Sequence, residues 1–458
     1  MFSSSFDMSP FKRSLEFISN IRLSLFLLLC FIFGGTSQDI VAPKLGLYLI
    51  SLLAIGYCLT VLNRESKFWD LKSMNMILGA FFIAHVVYLI PLPPGIWSHL
   101  PGRDFIVQGY QTLQVDLPWL PLSIAPEKTY FSLFDFLPPL ALILMIGTVV
   151  TAREIRVAVR TIGFFVILSA ILGILQILNV SESLYFYRFT NDRSAVGFFS
   201  NANHLSVFIL MAIPLLMCLH SVLRDNYEEY SNKVLAFSIV CIFSGLLGIG
   251  ASGSLGGFLL IIPVLVGTSF IWTSGEGRKT LYIIGIIGPL IAALIFDMFI
   301  WGNLQSEALA KFTHTHSLDR QTYFENTINI GKSFFPFGTG PGSFSDIYKL
   351  VEETSRKTVP HTHNDYIEIF SEFGALGLCW MFVAVLWLLK NFWTAFKSNG
   401  TFGKISKYFS IPIMVIMVHS LFDYSLRTIS VMTLFIFCLC ILVLSNRSIT
   451  TMTSDEFE

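Results

Sequence analysis

Twelve runs of roughly twenty apolar residues succeed one another along this chain, and nothing else in it constrains the fold as strongly. They lie near 18–35, 42–62, 73–92, 131–150, 157–178, 203–223, 233–252, 254–273, 281–300, 369–389, 409–426 and 430–446. Lipid offers no partner for backbone N–H and C=O groups, so a run of about 20 such residues is stable only as a helix that pairs them internally. With 54% hydrophobic and only 13% charged residues and a mean hydropathy of +0.68, the chain is too apolar for a water-soluble domain. The expected fold is an all-α membrane protein of about 12 transmembrane helices, with a large outer loop between helices 9 and 10.

Charge sets the expected orientation. If the N-terminus is inside, the inner loops carry Arg64, Lys67, Lys72, Arg153, Arg156, Arg160, Arg224, Lys233 and further cations towards the C-terminus. The outer loops before residue 300 offer only Lys44, Arg103, Lys128, Arg188 and Arg193. This bias predicts a multi-pass protein with both termini cytoplasmic. The first apolar run has no small-residue cleavage site and reads as a helix that stays rather than a signal peptide. A formal net charge of +0 and the lack of a basic stripe exclude a nucleic-acid surface. All seven cysteines fall inside expected spans, which implies neither a disulfide framework nor a thiolate metal site.

The outer loops are unequal: 36–41 is short, 93–130 and 179–202 are longer, and 301–368 is the longest. Segment 93–130 is rich in Pro and carries Trp97 and Trp119, expected as anchors at headgroup level. In the last loop, "IGKSFFPFGTGPGSFSDIY" predicts a rigid, turn-bearing piece packed on the membrane mouth. No internal repeat is apparent, which argues against a transporter built from inverted halves.

Chemistry concentrates at the outer helix ends. In "VPHTHNDYIEIFSEFG" (359–374), two histidines, an asparagine and three acids stand directly ahead of an apolar run. The positive end of the following helix disfavours the His363 imidazolium, while Asp365 and Glu368 favour it, so the ring is poised to titrate. His363 is then a base, or else Asn364 or Thr362 simply caps the helix and the histidines are interfacial. A second His-x-His, His314 and His316, begins the same loop, but no Cys or closely spaced carboxylate completes a zinc set, and no metal or other cofactor is expected. Arg188, Arg193 and Arg320 are scarce outer cations that suit a diphosphate if the loops converge. Within the spans, His85 reads as a helix–helix hydrogen bond, Asp297 lies near the outer end of the ninth, and His419 and Asp423 share a face of the eleventh.

The stretches "GFFSNANHLSVFILMAIP" (197–214), "SGSLGG" (252–257), "LDRQTYFENTINIGKSFFPFGTGPGSF" (318–344), "HTHNDYIEIFSEFGALG" (361–377) and "HSLFDYSLR" (419–427) occur in an order that resembles the O-antigen ligase and polymerase family of bacterial membrane glycan transferases. The segment "LPWLPLSIAPEKT" resembles the loop that often precedes them. The resemblance implies transfer of a glycan from undecaprenyl diphosphate to an acceptor sugar hydroxyl, of lipid A core or similar, on the periplasmic face. It also implies a metal-independent reaction with inversion at the anomeric carbon. By that likeness His363 activates the acceptor, and Arg193 and Arg320 engage the donor diphosphate. Arg188 joins them because Leu255 stands where the family commonly has arginine. His361, Asn364, Asp365, Asn203, His204, His419 and Asp423 are expected to support the site.

The expected organisation is 1–180 with helices 1–5, 181–430 as the catalytic region with loop 301–368, and 431–458 as the last helix and tail. The expected partners are the lipid-linked donor, the acceptor glycan or core, and membrane lipids. Alternatives are a repeat-unit polymerase, a protein O-oligosaccharyltransferase, or, in a different class, a flippase of lipid-linked sugars. A flippase predicts ionisable groups at mid-membrane on several spans.

Overall fold

The computed structural model describes residues 9–37, 42–224, 228–273, 317–351 and 359–451. Its first helix, α1 (Ser9–Phe33), carries a shorter apolar stretch, Ile21–Phe33. Ten further helices among the described residues are long and apolar enough to cross a membrane. They are α2 (Ala42–Val61), α3 (Lys67–Val87), α4 (Pro126–Thr148), α5 (Ala152–Ile177), α6 (Ala202–Arg224), α7 (Tyr230–Ser252), α8 (Leu255–Thr273), α10 (Asp365–Lys397), α11 (Gly400–His419) and α12 (Ile429–Ser448). A polar helix, α9 (Ser317–Ser333), stands apart from these. Among the described residues the count is ten plus the short stretch on α1, and the expected span at 281–300 lies outside them.

Two boundaries differ from expectation for identifiable reasons. Helix α3 stops at Val87 because Pro91, Pro93 and Pro94 follow, and proline removes a donor and restricts the residue before it. Residues Pro91–Leu92 (β1) instead pair antiparallel with Leu120–Pro121 (β2). Helix α11 begins at Gly400, ahead of Lys404 and Lys407, and ends at His419, short of the expected 426. The lysines in its first turns do not prevent helix formation, since a lysine near a helix end can keep its long stem on apolar surface and its head in water. Asp423 consequently lies beyond the helix rather than on its face.

Burial follows the distribution of apolar residues. Helix α6 is apolar on every side and is buried along 94% of its spanning window, and α12 along 83% of its own. These two form the centre, with α5, α7, α8 and α11 packed around α6. The hairpin expected in "ASGSLGG" is present: Gly253 has a φ of +67°, and the Ser252 hydroxyl accepts from Ser254 N at 3.2 Å. At one end of the bundle Arg22 bridges Glu154 at 2.8 Å, and Glu154 completes a capping box with Thr151 at the start of α5. At the other end, Ser200 N donates to Gly35 O at 2.9 Å and Ser430 N to Gly34 O at 3.1 Å, drawing α1, α6 and α12 together.

A roof of loops closes that second end. Trp97 is fully buried, its indole N–H donating to Pro118 O at 2.8 Å, so it holds the 91–121 loop together from inside instead of anchoring at headgroups. Trp119 is 64% exposed, as an anchor would be. The Gly-Pro-aromatic segment lies against a break in α10. Gly374 there has a φ of +56°, and the helical ladder is interrupted. Ser371 O and Glu372 O accept from Thr339 N at 3.0 Å and Gly340 N at 2.8 Å, while Ala375 N donates to Pro336 O at 2.8 Å. The broken helix thus recovers its lost bonds from a neighbouring loop, as buried backbone groups require. Ile124 N to Thr339 O, 2.9 Å, ties the earlier loop to the same segment.

A Cβ at Gly374 would stand 2.1 Å from Pro336 O, whereas one at Gly56 on α2 meets nothing within 4 Å. Gly374→Ala is therefore expected to lower stability by at least the ~1–2 kcal/mol that a left-handed conformation costs a residue with a Cβ. Gly56→Ala should be neutral or slightly stabilising. Thermal unfolding of the detergent-solubilised variants checks both.

Candidate functional site

The site assembles at the N-terminus of α10. Asn364 caps the helix through Oδ1, accepting from Tyr366 N and Ile367 N at 3.0 Å each. Its side-chain amide donates to Leu421 O at 2.9 Å, and Asp365 N donates to Ser420 O at 3.0 Å, so the end of α11 is held against the start of α10. The cap holds His363 with a φ of +58°, a left-handed conformation uncommon for any residue with a side chain and concentrated at functional sites.

Asp365, Glu368 and Glu372 follow at intervals of three and four, which sets them on one face of α10. All three are buried. Arg427, from the turn Ser425–Arg427, answers them: its guanidinium lies 3.0 Å from Glu372, 3.4 Å from Glu368 and 3.8 Å from Asp365. Glu368 also takes His361 Nδ1 at 2.9 Å and Thr362 N at 2.9 Å. Asp365 accepts from the Ser420 hydroxyl at 2.8 Å.

Helix α6 supplies the opposite wall. Asn201 Oδ1 accepts from Asn203 N at 2.9 Å, which frees the Asn203 side chain to donate to Asp423 Oδ2. The His204 imidazole is fully buried, with Nδ1 on the Thr428 hydroxyl at 2.8 Å and Nε2 3.9 Å from Asp423 Oδ1. His363 Nδ1 lies 3.4 Å from the same oxygen, without the alignment of a hydrogen bond. Tyr424 N donates to Oδ1 at 2.8 Å. Burial alone would push the Asp423 carboxyl up. The neighbouring imidazoles of His363, His204 and His419 outweigh burial and hold it well below the usual carboxylate range. Asp423 is therefore an anion at neutral pH, flanked by imidazoles.

Aromatic rings fix these imidazoles in place. Tyr424 meets His361 at 4.4 Å between centroids, His363 at 4.9 Å and His204 at 5.1 Å, while Tyr323 of α9 lies nearly parallel to His363 at 6.4 Å. Arg320, also on α9, donates to Phe422 O at 3.3 Å. With Asn203, Leu255, Gly256, His419 and Asp423 it borders a cavity of about 70 Å³.

Of the residues singled out in the sequence, His361, His363, Asn364, Asp365, Asn203, His204, Asp423 and, at the cavity, His419 and Arg320 are thus brought together. The side chains of His419 and Asp423 do not pair: Asp423 N donates to His419 O at 3.0 Å, while the His419 ring meets the Ser425 hydroxyl through Nδ1 at 2.9 Å. Arg188 and Arg193 are exposed on the loop leading into α6, Arg188 over the Phe189 ring at 5.4 Å, and neither contacts the histidine cluster among the described residues. His85 bonds Phe81 O of its own helix at 2.8 Å, not a neighbouring helix. His314, His316 and Asp297 lie outside the described residues. Glu368, Glu372, Tyr424 and Arg427 were not expected at the site, although the spacing of the acids along α10 and the Arg within "HSLFDYSLR" were both legible.

Ten spanning helices and a polar, histidine- and carboxylate-lined site at one end of the bundle define a multi-pass helical membrane protein. The O-antigen ligase family model matches residues 237–382, from within α7 to within α10. That match, over about a third of the chain, supports the O-antigen ligase family, a membrane glycosyltransferase-type family. The matched range contains Arg320 and the 361–372 cluster, while Asn203, His204, His419, Asp423 and Arg427 lie outside it and join by folding. No curated protein matches the chain.

Proposed function

We infer that this protein is an O-antigen ligase-like glycosyltransferase that moves a glycan from undecaprenyl diphosphate to a sugar hydroxyl, of lipid A core or a similar acceptor, at the periplasmic face of the bacterial inner membrane. The observation that carries the reading is the seating of His363 Nδ1 against anionic Asp423 between Tyr323 and Tyr424. This orientation leaves Nε2 to take the acceptor proton, and Asp423 offsets the charge of the imidazolium that results. As the hydroxyl loses its proton to Nε2, its oxygen bonds to the anomeric carbon, and the bond from that carbon to the diphosphate oxygen breaks. Undecaprenyl diphosphate departs as an anion, and Arg320 at the cavity rim meets its charge. Arg193 and Arg188, on the loop into α6, add cations to the donor's path.

His361, Glu368 and Arg427 form a second histidine–carboxylate pair braced from behind. Its role is to hold the 361–363 segment in the geometry that presents His363. The site's position at the helix ends lets a polyprenyl tail remain in lipid while the sugar meets water.

The test is transfer by purified protein from undecaprenyl-diphosphate-linked glycan, with lipid A core or free glycan as acceptor and EDTA present. Transfer to core that survives chelation supports a metal-independent ligase, and chain lengthening alone makes the protein a polymerase. Labelled lipid-linked glycan crossing a vesicle bilayer with no transfer product refutes the reading. Arg320→Lys keeps the charge but loses the two-pronged guanidinium, and should cost about tenfold or more in transfer rate. Wild-type rates in that variant would remove Arg320 from the donor site.

A further inference from the structure

His204, in the first turn of α6, takes no part in the transfer chemistry above, yet its ring faces Asp423 from the side opposite solvent. It is fully buried and held at one nitrogen: Nδ1 lies 2.8 Å from the Thr428 hydroxyl, while Nε2 has no hydrogen-bond partner among the described residues. Thr428 decides which nitrogen carries the hydrogen. It too is fully buried, just ahead of α12, and its hydroxyl makes no other hydrogen bond among the described residues. A buried hydroxyl hydrogen without an acceptor is costly, so Thr428 donates to Nδ1. Nδ1 is then the acceptor of the neutral ring, and the hydrogen sits on Nε2. That nitrogen stands 3.9 Å from Asp423 Oδ1. The other tautomer would turn a lone pair towards the anion and leave the Thr428 hydrogen unpaired.

Asp423 thus answers to four donors. Oδ2 takes the Asn203 amide, and Oδ1 takes Tyr424 N at 2.8 Å while facing His363 Nδ1 at 3.4 Å and His204 Nε2 at 3.9 Å. Neither imidazole is aligned for a hydrogen bond to it, so each acts on the carboxylate through charge, in a buried setting where screening by water is weak. A carboxylate answered from several sides holds the imidazolium of His363 less firmly than one that faces His363 alone. The other titratable or charged groups around this pair, among the described residues, are His419 at the end of α11, His361 with Glu368 behind it, Arg320 of α9, and Tyr424 and Arg427 of the turn. A change confined to His204 leaves all of these in place.

We propose that His204 is a positioning residue that sets the strength of the base: its Nε2–H competes with His363 Nδ1–H for Asp423 Oδ1, and so keeps His363 unprotonated to lower pH than Asp423 alone would allow. The proposal rests on the transferase reading only in taking His363 as the base of the reaction. The tautomer of His204 and its pull on Asp423 follow from the hydrogen bonds alone.

The experiment is nuclear magnetic resonance of the full chain in phosphatidylcholine nanodiscs with isotope-labelled histidine, the ring signals being assigned by their loss in His204→Leu and His363→Asn. Wild-type His204 should carry its hydrogen on Nε2 near neutral pH. A hydrogen on Nδ1 overturns the proposal, and that result needs no variant to fold. In His204→Leu, which removes the competing N–H, the titration midpoint of His363 should rise by about half a unit to one unit. In His204→Gln, whose amide nitrogen can take the place of Nε2, it should return towards the wild-type value. An unmoved or lowered midpoint in folded His204→Leu overturns the proposal. So does an equal rise in His204→Gln, which would make ring shape rather than the N–H the cause. In the transfer assay the acidic limb of the kcat/KM profile should move up by the same interval, so that His204→Leu loses about three- to tenfold on that limb and recovers as pH is raised. A moved midpoint in a chain that glycosylates no acceptor bears out the tuning of His363 and refutes the transferase reading. Transfer with an unmoved midpoint does the opposite.

Discussion

Replacing His363 with alanine is expected to reduce glycan transfer by about 10²–10⁴-fold, the usual contribution of a positioned general base. The protein should remain folded, since the ring is 22% exposed and makes no aligned hydrogen bond among the described residues. Asparagine offers a sharper version. It tolerates the left-handed backbone that His363 adopts at a φ of +58°, so His363→Asn removes the base with little backbone penalty. Equal inactivity of both variants, each with a wild-type unfolding temperature, assigns the loss to missing proton transfer. More than a tenth of wild-type activity in either one would show that another group takes the proton.

Arg427→Ala is expected to have the largest effect on stability. Asp365, Glu368 and Glu372 are 3%, 1% and 0% exposed, and Arg427 is the shared cation of the three. Removing one partner from a buried ionic group leaves uncompensated charge and typically costs about 3–5 kcal/mol. The unfolding temperature in detergent should fall accordingly. Adding Glu372→Gln should restore part of the loss, because it takes away the carboxylate nearest the vacated guanidinium. A single variant as stable as wild type would mean that the carboxylates are held by other means, and the brace behind His361 would lose its physical basis.

The spans were legible because lipid imposes a length and an apolarity that a sequence displays directly. Where reading and structure part, polar chemistry at helix ends is the cause. The prolines after Val87 end α3 early, and the lysines of α11 disguise its start. Asp423 was read onto a helix face because its spacing from His419 matches one turn, yet the helix ends at His419 itself. That difference matters, because only a residue released from the helix can turn towards His363, His204 and Asn203 together. The pairing of α6 with "HSLFDYSLR" spans more than two hundred residues, and no local pattern announces it. Arg427 was overlooked because one arginine among apolar residues near a helix start resembles a headgroup contact. Only the folded chain shows that it faces three acids at once. Trp97 illustrates the reverse case: a residue type suited to interfaces became the core of a loop.

The broken helix α10 has a consequence for how substrates reach the site. A lid that opens must hinge on segments whose hydrogen bonds water can take over. The 336–340 strip instead completes the main-chain bonding of a spanning helix, and lifting it would leave two carbonyls and an amide stranded at the edge of the hydrocarbon. That part of the mouth behaves as masonry: under the proposed transfer, substrates come to a fixed wall, and any gating motion belongs to segments that carry no share of the helix.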